Sequence, residues 1–349
     1  MILYGLRGVG KTVLLNRIQI DAQALGFANI RVEAPEERSL PAVLIPALRG
    51  TLLRLDRSQA IRDVLQRARN ALSGFAQALR VKYNDIEVGL DFPVEPGLAD
   101  SGDLDSDLTD LFMTIGQAGR EYGTAMVLFI DELQYVQNDQ LASLLRAIHN
   151  ANQAQLPIIM LAAGLPQLIS QLGRAKSYAE RLFEFIEIGR LDDPAARSAL
   201  EIPAARAGVD FTPEAIGHIL QKTLGYPYFL QEWGRFSWEV ADESPITEDV
   251  AIQASELALN ELDRGFFRVR FDRLTPTERR YLRAMADLGP GPHRSGDIAE
   301  RLGRNVTNVA PVRSSLIKKG MLYSPAHGDN AFTVPLFDGF MKRIMPPIS

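Results

Sequence analysis

Gly5-Leu6-Arg7-Gly8-Val9-Gly10-Lys11-Thr12 fills the pattern G-x-x-x-x-G-K-[ST] without a gap. The short run Ile2–Tyr4 precedes it, and VLLNRIQIDAQALG (13–26) follows with apolar residues at helical spacing up to Gly26. The order is therefore strand, glycine loop, helix. Glycines let the backbone pass through left-handed conformations that a Cβ disfavours. Successive N–H groups then converge at a helix N-terminus, an arrangement that binds phosphate. Lys11 is placed for the β- and γ-phosphates of a nucleotide and the Thr12 hydroxyl for Mg²⁺, with Gly5, Arg7, Gly8, Val9, Gly10 and Val13 completing the contact set. The alternative is a generic glycine turn, against which Lys-Thr at the helix start argues.

A second signal lies 120 positions beyond Lys11. In AMVLFIDE (125–132) an apolar strand delivers Asp131 to its C-terminal end, where ligands collect in open α/β sheets. Asp131 is expected to join Thr12 in the Mg²⁺ shell, and Glu132 to polarise the water that attacks the γ-phosphate. The alternative is that the pair merely ends the strand.

The rest of the first half alternates. FANIRVEA (27–34) reads as a strand closed by Pro35, and residues 39–80 read as helical through Leu52, Leu55, Ile61, Val64 and Leu65. Alternation of Val81, Tyr83, Ile86, Val88 and Leu90 around Asn84-Asp85 suggests a hairpin. A Pro/Gly/Asp/Ser-rich stretch (93–108) reads as a mobile loop, so residues about 74–104 resemble an insertion. A helix over Asp105–Tyr122, a helix in LASLLRAIHNANQ (141–153) and a strand in LPIIMLAAG (156–164) follow. Such alternation predicts an α/β class: a three-layer P-loop NTPase domain with a parallel sheet over residues 1–190. Short helices then predict an α-helical lid over 191–263. From Arg264 to residue 349, helices at Pro276–Leu288, at Ser295–Leu302 and up to Lys319 precede two short strands around His327-Gly328-Asp329-Asn330, the order of a winged-helix domain.

The hydrophobic content of 46% and charged content of 23% suit globular domains, and no cysteine is present. Disulfides, thiolate catalysis and Cys-based zinc sites are thereby excluded, and four scattered histidines argue against a His-rich metal site. No run of 18 apolar residues occurs and the first residues lack the basic start of a secretory signal, so a cytoplasmic, membrane-free protein is expected. From Arg264 onward 15 Lys/Arg face 7 Asp/Glu, a balance of +8, while the preceding part carries 23 against 36, or −13, which together give the overall −5. A basic module behind an acidic one suits nucleic-acid contact, though a solvated face would look the same.

The phosphate loop, the hhhhDE strand, the apolar third strand, the helical lid and the winged helix together resemble AAA+ and STAND ATPases related to archaeal origin-recognition initiators. DELQYV, SYAERLF and FTVPLF resemble a bacterial and archaeal group within that set. The resemblance implies ATP and Mg²⁺ as ligands and slow ATP hydrolysis by Lys11 and Glu132. It also implies an arginine finger or sensor after the third strand, where Arg181 is the better candidate and Arg174 the weaker. An ion pair of Arg181 with Glu180 or Glu184 is the other role open to it. The family's lid G-x-P motif corresponds to Gly225-Tyr226-Pro227, which puts Gly225 and Pro227 near the adenine. Three departures stand out. Four residues precede the loop, so an upstream adenine-contacting segment has no counterpart in them, and ATP over GTP is inferred. Leu161-Ala162-Ala163-Gly164 lacks the polar sensor common at that strand end, which suggests slow turnover. The third is the long insertion.

In SGDIAERLGRNVTNVAPVRSSLIKKGMLY (295–323), Ile298, Ala299, Leu302, Val309, Val312, Leu316 and Ile317 are expected to face inward, with Pro311 in the first turn of the second helix. That leaves Asn305, Thr307, Arg313, Ser314, Lys318 and Lys319 on the open side, a set suited to double-stranded DNA, with Arg294 and His327 flanking it. The aromatics Phe266, Phe267, Phe271, Tyr281, Phe332, Phe337 and Phe340 read as core. The expected function is an ATP-dependent molecular switch on DNA, which binds ATP and ADP, with a homo-oligomer among its expected partners; the alternative is a STAND-like signalling scaffold whose last module binds protein.

Overall fold

Every residue of β3 (Met126–Asp131) is buried, as its Val-Leu-Phe-Ile run requires of a strand covered on both faces. The computed structural model describes residues 1–34, 36–55, 62–86 and 92–348. Two compact units emerge, Met1–Tyr4 with Lys11–Glu187 and Gly5–Gly10 with Ile188–Ser349.

In the first unit, β1 (Ile2–Tyr4), β2 (Ala28–Glu33), β3, β4 (Ile158–Gly164) and β5 (Phe185–Glu187) form one sheet in the order β2-β3-β4-β1-β5. All neighbours are parallel, with Tyr4 opposite Gly164 and Ile130 opposite Ala162. The C-terminal ends of β1, β3 and β4 therefore share one edge. Strand β2 buries Ala28, Ile30 and Val32 and turns Asn29, Arg31 and Glu33 the other way, the period-2 pattern of a sheet margin. The three-residue β5 is too short for its alternation to register in the sequence.

Helices α1 (Lys11–Ala24), α2 (Leu40–Arg54), α3 (Arg62–Arg80), α4 (Leu104–Tyr122), α5 (Asn138–Gln153), α6 (Gln167–Ala175) and α7 (Ala179–Leu182) flank this sheet. The Asp103 carboxylate accepts the Ser106 N–H at 2.9 Å to open α4, and Gly123, at φ 75°, ends it. Leu65, Leu72, Phe75 and Leu79 of α3 are fully buried at helical spacing. Each contributes ~1.5–3 kcal/mol relative to an exposed side chain. Gly74, Phe75, Ala76 and Leu79 thus belong to the buried face of α3, so the segment expected as an insertion begins inside a structural helix. Residues Val81–Ile86 form turns, with the Ile86 N–H donating to Tyr83 O at 3.3 Å, where a hairpin arm was expected. Val88 and Leu90, the other arm, lie outside the described residues, as do Pro35 and Ile61. In α1 only Lys11, Leu15 and Ala22 are buried, a narrower inner face than its apolar spacing implied.

The second unit is mostly helical: α8 (Asp193–Arg206), α9 (Pro213–Thr223), α10 (Pro227–Val240), α11 (Glu248–Leu262), a π-turn at Asp263–Phe267, α12 (Arg268–Asp272) and α13 (Pro276–Asp287). Then come β6 (His293–Arg294), α14 (Ser295–Arg301), α15 (Val306–Lys318), β7 (Leu322–Tyr323), β8 (Asp329–Phe332) and α16 (Phe337–Ile344). The three strands pair antiparallel in the order β6-β8-β7. One apolar core runs through Ile216, Phe229, Trp233, Phe267, Tyr281 and Phe337. Phe267 stacks on Phe340 with centroids 5.3 Å apart, so these aromatics are core, as the sequence implied. Helix α15 starts at Val306, so Pro311 lies inside it and not in its first turn. Among the described residues no helix is long and apolar enough to cross a membrane.

Candidate functional site

Chain connectivity places the glycine loop between β1 and α1, at the C-terminal edge of the sheet. Gly8 and Gly10 have φ of 81° and 90°, conformations that favour glycine. A Cβ on Gly5 would lie 2.0 Å from the Ile188 carbonyl oxygen. The loop's own hydrogen bonds run into the 188–349 region. The Arg7 N–H donates to Thr333 O at 3.0 Å and Gly8 O accepts the Tyr228 N–H at 3.1 Å. The Arg7 Nε donates to Gly320 O at 3.5 Å, and the Thr333 hydroxyl donates to that same oxygen.

Lys11, 7% exposed, opens α1, whose first turn holds no acidic residue to compete for an anion. Thr12 follows it, exposed, and Val13 is 71% exposed. At the same edge the buried Asp131 accepts the Glu132 N–H at Oδ1 (2.9 Å) and faces the Arg31 guanidinium at Oδ2 (3.5 Å). Glu132 takes a left-handed backbone, φ 53° and ψ 37°. Its Oε2 accepts a hydrogen bond from the Gln134 amide, whose Oε1 accepts the Leu165 N–H at 3.0 Å. The oxygen donors Thr12 and Asp131 suit a hard dication such as Mg²⁺, which takes few protein ligands and completes its shell with water and phosphate. No cluster of three or more metal-binding side chains exists among the described residues.

Lys11, Thr12, Asp131 and Glu132 thus come to one edge of the sheet. Arg181 does not join them. It is exposed in α7, which leads into the first residue of β5 at the opposite end of the parallel strands. It pairs with neither Glu180 nor Glu184 among the described residues. Gly225 (φ 73°) precedes Pro227 at the start of α10 and lines a cleft of about 640 Å³ with Arg190, Leu191, Asp192, Arg197 and Gln221. Sequence reasoning missed Arg31 and Gln134. Arg31 is readable only once β2 is registered against β3, two places diagonally from Asp131.

In the C-terminal module, Asn305, Thr307, Ser314 and Lys318 are exposed, as are Arg294, Arg304 and His327. Arg313 and Lys319 are drawn inward, contrary to the open face expected of them. Arg313 Nη2 donates to Ser324 Oγ at 2.9 Å, with Nε on Asn330 Oδ1. Lys319 Nζ donates to the buried Glu278 carboxylate at 2.8 Å. Burial alone would raise the Glu278 carboxyl, but hydrogen bonds from Lys319, Ser315 and Thr275 outweigh it and hold the group below its ordinary value.

Comparison with known proteins bears on the fold. The structure is similar to the Walker-type ATPase paby2304 of Pyrococcus abyssi at 17% identity and a TM-score of 0.60, over 98% of this chain and 90% of that one. Looser likenesses are a RuvB mutant of Thermotoga maritima (15% identity, 99% and 88% covered, TM-score 0.46) and the Orc1 protein of Aeropyrum pernix, solved in complex with DNA (17%, 98% and 86%, TM-score 0.45). Neither superposes closely enough to bear on function. A search of curated proteins gave no match. Residues 264–341 match a model described as a domain of unknown function (DUF8462). Residues 1–161 match the AAA ATPase domain, and the first unit has the fold of P-loop ATPases.

Proposed function

We propose that this chain is an AAA-type molecular switch that binds Mg·ATP through Gly5–Thr12 and Asp131, hydrolyses it slowly and binds double-stranded DNA through its last module. One observation carries the reading: a complete phosphate-loop sequence joins β1 to α1 at the sheet edge where β3 delivers Asp131 and Glu132. The loop amides and Lys11 would hold the phosphates, Thr12 and Asp131 the Mg²⁺, and Gly225 and Pro227 the region of the base. Glu132 would accept a proton from the attacking water. Bound Mg²⁺ would neutralise charge on the β- and γ-phosphate oxygens. A finger role for Arg181 requires a second copy of the chain to supply it, since its place at the far strand ends does not serve the same chain's Lys11. In this reading residues 191–263 form the lid and 264–349 a winged helix, whose helix–strand–helix–helix–strand–strand order α13 to β8 supplies.

The testing experiment is equilibrium binding of a fluorescent ATP analogue to wild type and Lys11→Ala. Removing the ammonium should abolish detectable binding while leaving the melting transition in place. Retained affinity in the variant overturns the site.

A nucleotide-gated scaffold that docks protein is the second reading, favoured by the inward turn of Arg313 and Lys319. Nucleotide retention with turnover near zero, and no duplex binding, selects it.

A further inference from the structure

We propose that Gln134 is the positioning residue for Glu132 and supplies the polar group that the end of β4 lacks. The inference rests on the ATPase reading above. Strand β4 closes on Ala162, Ala163 and Gly164, which bring no hydrogen-bonding side chain to the edge. Gln134 fills that place from the turn after β3. A Cβ on Gly164 would lie 2.7 Å from Gln134 Oε1 and 2.7 Å from Leu168 Cδ2, so the glycine keeps the space in which the amide lies.

The orientation of the amide is fixed by chemistry. The Leu165 N–H only donates, so it selects Oε1, and Nε2 must then face Glu132. A carboxylate only accepts, so both ends of the bridge agree. Glu132 is restrained twice, by its left-handed backbone and by Nε2 on one carboxylate oxygen. The other oxygen is left to receive a proton from water. A glutamate without that bridge would sample several rotamers, and a general base acts only within hydrogen-bond reach of its proton. Asp131, Arg31, Glu33 and Lys11 are the other charged groups brought to this edge.

The test uses the full chain with Gln134→Leu and Gln134→Glu, ATP-analogue binding, and kcat, with Lys11→Ala as the control. Gln134→Leu should lower kcat roughly ten- to a hundredfold, part of the ~10²–10⁴ that a positioned base contributes, with nucleotide Kd changed less than about twofold. In Gln134→Glu an oxygen still accepts the Leu165 N–H but no N–H remains for Glu132, so kcat should fall as in Gln134→Leu while nucleotide Kd holds. A purely structural glutamine would tolerate that exchange with kcat near wild type. Unchanged kcat in Gln134→Leu, joint collapse of kcat and nucleotide affinity, or wild-type kcat in Gln134→Glu overturns the proposal. If Gln134→Leu loses its melting transition, Gln134→Glu decides, because it keeps an acceptor for Leu165. Wild type with no Lys11-dependent binding overturns instead the ATPase reading itself.

Discussion

At the scale of single residues, Gly164 separates packing from chemistry. Its ordinary backbone tolerates a methyl group, but that methyl would press on the ends of two side chains, Gln134 and the fully buried Leu168. Overpacking of this kind costs ~1–3 kcal/mol. The amide is the softer neighbour and should rotate away from Glu132. Gly164→Ala is therefore expected to melt a few degrees lower and to turn over as slowly as Gln134→Leu. The double variant should be no slower than either single one, since both act through one hydrogen bond. Additive losses in kcat would show that Gly164 and Gln134 act separately. The placement of Lys11, Thr12, Asp131 and Glu132 at one sheet edge was legible because local sequence fixes it: a glycine loop between strand and helix, and an apolar strand with acids at its end. Arg31 and Gln134 were not, because their partners depend on strand register and on where β4 ends. Arg313 and Lys319 were misjudged for the same reason, as the carboxylate and amide that hold them come from other elements.

Elements were legible where they were long and periodic. The limits of α4, β2 and β4 fell close to their sequence signals, whereas β5 is three residues long and carries no usable period. A proline costs least in a first turn, where the sequence predicts Pro311, yet α15 begins at Val306 and contains it. What anchors α15 is the start of α13. Thr275 and Glu278 form a capping box, and Ser315 Oγ and Lys319 Nζ from α15 donate to the same carboxylate at 2.7 and 2.8 Å. Because this carboxyl is held below its ordinary value of 4.5, its stabilisation is complete above that pH and is lost as pH falls through the lower folded value. Glu278→Gln should cost roughly 1.5–3 kcal/mol at neutral pH, the range for hydrogen bonds to charged groups. Its melting temperature should also fall less steeply than that of wild type once pH drops below 4.5. Parallel acid profiles for the two proteins would exclude Glu278 as a source of the acid sensitivity.

At the scale of the whole chain, the glycine loop is the structural surprise, because Arg7 and Gly8 bond to backbone at Thr333 and Tyr228, more than 200 positions away. Sequence pattern reports the glycine loop, but not which distant backbone holds it. Through the Arg7 N–H on Thr333 O and the Tyr228 N–H on Gly8 O, a nucleotide that reshaped the loop would also act on groups beside α10 and β8. Coupling of this sort is a free energy shared by two sites, and it is reciprocal. If the last module binds duplex DNA, ATP should change the DNA Kd by the same factor by which DNA changes the nucleotide Kd, roughly 5- to 150-fold for typical coupling. Of the exposed cations there, Arg294, Arg304 and Lys318 are the candidates for phosphate contact. Three contacts would give log K a slope near −2.7 against log salt, at about 0.9 per phosphate, and Lys318→Ala should reduce that slope by about 0.9. Fluorescent-duplex titrations at several salt concentrations, with ADP or a slowly hydrolysed ATP analogue, measure both quantities. Duplex affinity that ignores salt removes the DNA role, whereas salt-dependent affinity identical in the two nucleotide states leaves a DNA-binding ATPase whose loop contacts transmit nothing.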